Sequence, residues 1–376
     1  MNKKIIITSS VLVILILGYF LVAQLAPNVP APMATAEIKK VATQGTNDEG
    51  KVPEEKGTEE VLPETEVVAS PPIEVSVHTI ALAGIIDAPS AEISAMDWAG
   101  DWLILVPQYP GRFGDVLFAI HRDELLDAIG SENAEPIEPK TILFNAPGIR
   151  GIEGYEGIEA IAFDGEDVYI TVEGRDGRRM AGYLMKGIYD GEMVSIDVGK
   201  AISIPAATSI SNYSEEAIFL TTGGVVTMYE VNGENINSAP MVHGFDRELT
   251  STKQGSFPNI EYRVTDATRI DGEGKFWMIN YNFPGSQDDL KVGADYYVDQ
   301  FGEGETHKGS DIIERLIELQ YLNGNVMFTD TPPIQFMLLD NGDARNWEGI
   351  VRLDDIGFLI VTDKFPETIL GFVRYP

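Results

Sequence analysis

One pattern of apolar and polar positions recurs five times along this chain. Residues 94–108, 159–173, 216–230, 266–280 and 349–363 align without gaps. Four residues after each start stands a large apolar side chain: Trp98, Phe163, Leu220, Ile270 and Leu353. A turn rich in Gly and Asp follows, such as Gly100 and Asp101 or Asp164 and Gly165. A β-branched or aromatic run then closes the unit, as in Val168, Tyr169, Ile170, Thr171 and Val172. Strand, tight turn, strand predicts a β-hairpin. Further strands are expected after most copies, for example over residues 116–120 and 183–186.

The starts lie 65, 57, 50 and 83 residues apart, and the last gap has room for a long insertion. A hairpin plus outer strands, repeated at about 60 residues, is the signature of a propeller blade. The expected fold is all-β: a β-propeller of five blades, with six as the alternative. Residues 75–86 would supply the strand that closes the ring. A solenoid fits the long interval and paired strands less well. One register stays open, because residues 209–213 could pair with 217–222 and leave Glu216 in a turn. Short helices are expected over 121–129 and 310–317.

The N-terminus reads differently. Lys3 and Lys4 precede an uncharged run over residues 5–26. As a helix this run would rise about 33 Å, enough to cross a hydrocarbon core. A cleavable signal has a shorter apolar stretch. The small residues Ala34, Thr35 and Ala36 resemble a cleavage site but lie well beyond the run. The expectation is therefore a signal-anchor over 1–26, with cleavage as the alternative. The two lysines keep the N-terminus cytoplasmic. The rest of the chain would be extracytoplasmic, periplasmic or at the cell surface. Residues 27–75, rich in Pro and Glu, are expected to be a disordered linker, and 76–376 the propeller domain.

Charge and composition narrow the chemistry. The net charge is −32; residues 1–75 carry −4 of it, leaving −28 on residues 76–376. Such a domain repels nucleic acid and anionic lipid and attracts cations and cationic ligands. Acidity that only keeps an exported domain soluble is the plainer alternative. There is no cysteine, so disulfides, thiolate metal sites and Cys nucleophiles are absent. No G-x-S-x-G elbow, H-E-x-x-H, P-loop or EF-hand loop is present.

The repeat itself supplies candidate chemistry. Its first positions read Ser94, Glu159, Glu216, Asp266 and Gly349, the last with Glu348 beside it. Its last positions read Gln108, Glu173, Glu230, Asn280 and Asp363. The two ends of a hairpin lie together, so both columns should ring one mouth of a central channel. Clustered carboxylates resist ionising together unless a cation joins them. Oxygen-only ligands suit Ca²⁺ above Mg²⁺. Glu159, Glu173, Asp266, Glu348 and Asp363 are the candidate metal ligands. The plainer alternative is that they solvate a water-filled channel. Arg263 and Arg345 stand just before acidic positions and, with Asn280, could meet a substrate or tie neighbouring sheets together. His307, in the long insertion, is the one His placed near the expected mouth.

Residues 154–160 hold Glu156, Gly157, Ile158 and Glu159; residues 346–350 hold Glu348, Gly349 and Ile350. Each run leads to an acid after its hairpin, Glu173 and Asp363. These motifs resemble the inner-strand "EGI/EGL … D" motif of phytase-like and esterase-like β-propellers. They are also similar to calcium-dependent lactonase propellers. The resemblance implies that Glu156, Glu159 and Glu348 face the channel, and that Glu348 and Asp363 ligate metal. It implies a metal-dependent hydrolase of an ester, lactone or phosphoester. The acidic excess departs from a phytate site, which needs several Lys and Arg against a polyanion. A non-catalytic propeller that binds a ligand or protein at the cell surface is the competing reading.

Overall fold

Each repeat unit forms an antiparallel hairpin in the computed structural model, which describes residues 72–376 apart from 89, 90, 132, 364 and 365. Ile93–Ala99 pairs with Trp102–Pro107, and Gly157–Asp164 with Asp167–Asp176. Glu215–Thr221 pairs with Gly224–Tyr229, and Ile260–Ala267 with Lys275–Asn282. Trp347–Leu353 pairs with Gly357–Thr362. The first strands of these hairpins pack side by side in chain order, and that of the last packs against that of the first. The ring is therefore closed.

Outer strands widen each hairpin away from the axis. Val116–His121 extends the first, Arg179–Tyr189 the second, Met241–Asp246 the third, Ile313–Leu322 the fourth and Leu370–Arg374 the fifth. Sheets radiating from a closed ring of inner strands make a β-propeller. His78–Ile80 pairs antiparallel with Leu370–Arg374, so a strand from residues 75–86 does complete the last sheet. This closure matters because an unpaired outer edge would leave a row of backbone donors and acceptors exposed.

The inner strands read as nearly continuous apolar runs because both of their faces are covered. Ile104 and Val106 of the first sheet meet Ile161 and Ile170 of the second in one buried cluster. Trp277 and Ile279 of the fourth meet Ile350 and Ile360 of the fifth in another.

Four expectations resolve here. Glu215–Thr221 pairs with Gly224–Tyr229, so Glu216 lies in a strand and not in a turn. The helix Arg122–Gly130 matches the one expected over 121–129. The helix expected over 310–317 is instead the strand Ile313–Leu322. Its residues from Ile313 to Leu319 are buried on both faces, and its charges Glu314 and Arg315 are paired internally with Arg345 and Asp295. A run buried on both faces has no polar stripe to separate helix from strand. Residues 74 and 75, expected in the linker, form the strand Glu74–Val75 beside Ile334–Phe336. The rest of the expected linker and the apolar run over 5–26 lie outside the described residues. Among the described residues no helix is long and apolar enough to cross a membrane.

Adjacent inner strands approach closely. A Cβ on Gly349 would lie 2.8 Å from Val361 Cγ1 and 3.1 Å from Met96 Cγ of the neighbouring sheet. The corresponding positions are Ala95, Ala160, Ala217 and Ala267. Gly349→Leu is therefore expected to destabilise the domain by about 1–3 kcal/mol through overpacking. Gly349→Ala, which copies the other sheets, should cost less. Urea unfolding midpoints test this; equal midpoints for the two variants would refute the close-approach argument.

A carboxylate-lined cavity at one mouth of the channel

The first strand of every hairpin is irregular at the same height. Pairing jumps from Ile93 to Ala95, from Ile158 to Ala160 and from Glu215 to Ala217. It jumps again from Val264 to Ala267 and from Trp347 to Gly349. The residues before the small side chain are Ser94, Glu159, Glu216, Asp266 and Glu348. A β-bulge re-aims one side chain out of the regular pleat. Five bulges at one level make the polar column of the repeat.

Four of these residues, all but Asp266, line a cavity of about 330 Å³. Gln108, Glu173 and Asp363 from the last-position column share it, with Tyr109, Glu156, Asn212, Arg263 and Asn346. Glu159, Glu173, Glu216 and Glu348 are each more than nine-tenths buried. The structure thus brings together Glu156, Glu159, Glu173, Arg263, Glu348 and Asp363 among the expected site residues.

It places the other four elsewhere. Asp266 has a shorter side chain than Glu and stops in the wall. Its oxygens accept from the Ile350 and Ala267 N–H groups, each at 2.8 Å. Asn280 is buried behind the cavity, donating to the Glu261 and Arg263 carbonyls and accepting from Arg315 Nε at 2.8 Å. Arg345 is buried against Glu314, with Nε 2.7 Å from Oε2. His307 Nδ1 lies 2.9 Å from Glu74 Oε1, in a buried contact that ties the strand Glu74–Val75 to the insertion. These three act as ties within the framework, and none lines the cavity.

Glu216, Ser94, Gln108, Tyr109, Asn212 and Asn346 were not among the expected site residues. For Ser94, Glu216 and Gln108 a signal existed: they sit in the two columns of the repeat. The gapless alignment put Gly349, not Glu348, in the first-position column. The last hairpin has a three-residue turn where the first has two residues, so its spacing is one longer.

Among the described residues Arg263 is the one cation lining the cavity. Its Nε donates to Glu230, its Nη1 to the Tyr281 hydroxyl, and its Nη2 to Glu348 Oε1 at 3.4 Å. Its guanidinium also stands 4.9 Å from the Tyr281 ring centre. The preceding residue, Tyr262, has φ of 69°, a left-handed conformation that is costly for a large side chain. That kink lies where the pairing of Ile260–Ala267 with Val231–Asn232 slips, directly before Arg263.

One guanidinium does not neutralise this many acids. Burial, then the nearby Glu216 and Glu173 charges, hold Glu159 well above the carboxylate range. Burial and Glu216 push Glu173 up to about 8. Burial pushes Glu216 up to about 7, against the pull of Arg263. Burial also holds Glu348 well above the usual range despite Arg263, with Glu216 and Asp363 adding to the rise. Several carboxyl groups therefore carry protons near neutral pH, and at least one exchanges its proton there.

A calcium ion takes about six to eight oxygens at close range. Among the described residues no three acidic or histidine side chains converge as a metal-holding group. The carboxylates as placed do not fit a preformed calcium site, and no chemistry below is routed through a metal.

The other mouth is closed differently. Arg269 donates to Asp97 at 2.8 and 3.0 Å and to the Trp98 and Phe163 carbonyls at 2.6 and 2.9 Å. Asp97 in turn accepts from the Phe163 N–H at 2.7 Å.

No protein-family profile and no curated protein matches the chain. Among solved structures the chain is similar to a Cellvibrio cellulosa α-L-arabinanase variant, at 9% identity and TM-score 0.41, covering 81% of this chain and 92% of that one. It is also similar to the soluble aldose sugar dehydrogenase of Escherichia coli, at 9% identity and TM-score 0.38, covering 79% and 99%. A hypothetical selenium-binding protein from Sulfolobus tokodaii matches at 10% identity and TM-score 0.37, covering 76% of this chain and 65% of that one. Likeness of this degree carries nothing about activity.

Proposed function

We propose that the chain is a five-bladed, membrane-anchored extracytoplasmic propeller that hydrolyses an ester, lactone or comparable C–O bond by carboxyl acid–base chemistry. The observation that carries this reading is the convergence of Glu159, Glu173, Glu216 and Glu348 in one cavity that retains open volume. Neighbouring carboxyl groups held at different protonation levels are what a paired acid and base require. Glu159, kept protonated, gives its proton to the leaving oxygen. Glu216, titrating near neutrality, takes a proton from the attacking water. The water oxygen bonds to the electrophilic carbon as the C–O bond breaks, and the proton gained by Glu216 returns to Glu159 to reset the pair.

The cavity disfavours a phosphoester. Its single guanidinium is already engaged by Glu230 and Glu348, and the acids repel a second anion.

The test is turnover by purified full-length protein on chromogenic esters, lactones and glycosides. Glu159→Gln and Glu216→Gln should each lower kcat by about 10²–10⁴, as loss of a general acid or base does. Activity unchanged in both variants, or no turnover on any class, counts against the hydrolase.

A further inference from the structure

The acids of the cavity form a cluster, and a cluster alone says little. Glu216 adds a separate observation. It is 5% exposed and lines the cavity, and among the described residues its carboxylate makes no hydrogen bond or ion pair. A buried carboxyl with no hydrogen-bond donor is costly to leave so, and the charge of Arg263 offsets only part of that cost. Arg263 does not fill this need, because its donors go to Glu230, Tyr281, Glu348 and Asn346.

The shape of the cavity restricts what could. About 330 Å³ is room for roughly ten water-sized atoms at about 30 Å³ each, far more than a bare ion fills. The acids do not converge as a metal-holding group. The wall also presents neutral donors and acceptors, Gln108, Asn212 and Asn346, beside Tyr109. A ligand that suits such a wall carries positive charge on a polar or apolar chain.

We propose that this cavity recognises an organic cation, with an ammonium or guanidinium group seated against Glu216 and Glu173. This goes beyond the hydrolase reading: a cation seated on Glu216 occupies the base of that reading, so it is a ligand of the same mouth and not the compound that is turned over. The recognition follows from charge pairing in a desolvated pocket, where an ammonium–carboxylate contact is strong and a neutral isostere leaves the acid unpaired. The strongly acidic surface of the domain would also speed the approach of such a ligand.

Isothermal titration of the full-length protein in detergent, at about 150 mM salt, tests this. The probes are spermidine, 1,8-octanediol as an uncharged chain of similar size, and calcium chloride. Spermidine should bind one to one, and octanediol should not bind. Glu216→Gln and Glu173→Gln should each weaken spermidine binding at least tenfold while the melting temperature shows a folded domain. Glu124→Gln with Asp127→Asn, on the helix Arg122–Gly130, should leave it unchanged. Equal weakening in that surface variant would show non-specific attraction and overturn the proposal. Binding of octanediol as tight as spermidine, binding of calcium without spermidine, or no binding at all would each overturn it too. Failure of the hydrolase reading is separate: it shows as absent turnover, while the titration measures binding alone.

Discussion

Arg263→Met is expected to destabilise the folded domain by about 3–5 kcal/mol, the cost of leaving a buried charge without its partner. Glu230 is 0% exposed, and its carboxylate is held by Arg263 Nε. Its second oxygen is buried with no hydrogen-bond partner. Removing the guanidinium strands Glu230 and also frees Glu348, which Arg263 Nη2 touches at 3.4 Å. The measurement is the urea midpoint of unfolding. Met keeps the length and apolar packing of the Arg stem, so lost volume is not the cause. Arg263→Met with Glu230→Gln should recover a large part of the loss, because the stranded charge is gone. A single variant within about 0.5 kcal/mol of wild type would show that the pair is not the keystone of the fourth sheet.

Stability should fall as pH rises from about 5 to 8. The sign follows from where protons sit. In the unfolded chain the glutamates ionise near 4.5; in the folded cavity burial keeps Glu216 protonated to about 7 and Glu173 to about 8. Between those values the folded state binds more protons than the unfolded state, and the slope of stability against pH is negative. Below about 4.5 both states are protonated and the penalty vanishes; above about 8 it levels off. Glu216 alone, moved from 4.5 to about 7, accounts for about 3 kcal/mol at the upper end. Against a total stability of about 5–15 kcal/mol, this shift in melting temperature is easily seen. Glu216→Gln and Glu173→Gln should flatten the curve, which separates the cavity from general repulsion across an acidic surface. A melting temperature that stays level or rises from pH 5 to 8 in the wild type would contradict the buried-acid cavity. An organic cation bound there should also flatten the curve, since it stabilises the ionised carboxylates.

The hairpins were legible in the sequence because each carries its whole signal locally. A short apolar run, a Gly- or Asp-rich turn and a second apolar run define Gly157–Asp164 and Asp167–Asp176 without reference to the rest of the chain. The helix expected over 310–317 overlaps the strand Ile313–Leu322, because burial on both faces erases the alternation that marks a strand. Glu74–Val75 was assigned to the linker because two residues carry no pattern; their place is set by Glu74 accepting from Thr306 and His307, more than 200 residues away.

The candidate site divides the same way. Sequence alone determined that polar residues recur at the two ends of one hairpin module. That is a covalent fact of spacing, and a closed ring turns equal spacing into equal height. Sequence could not say which members of each column reach the cavity. Asp266 and Glu159 occupy equivalent bulges, yet Asp266 ends on the Ala267 N–H of its own strand and the Ile350 N–H of the next sheet, while Glu159 meets Gln108 Nε2 at 3.2 Å. One methylene and the neighbouring strand decided that. Nor could it show that Arg263 would be the cavity's cation while Arg345 is locked against Glu314. Side-chain reach, burial and the charge of neighbours distant in sequence exist only once the ring has closed, and they set which carboxyl groups keep their protons.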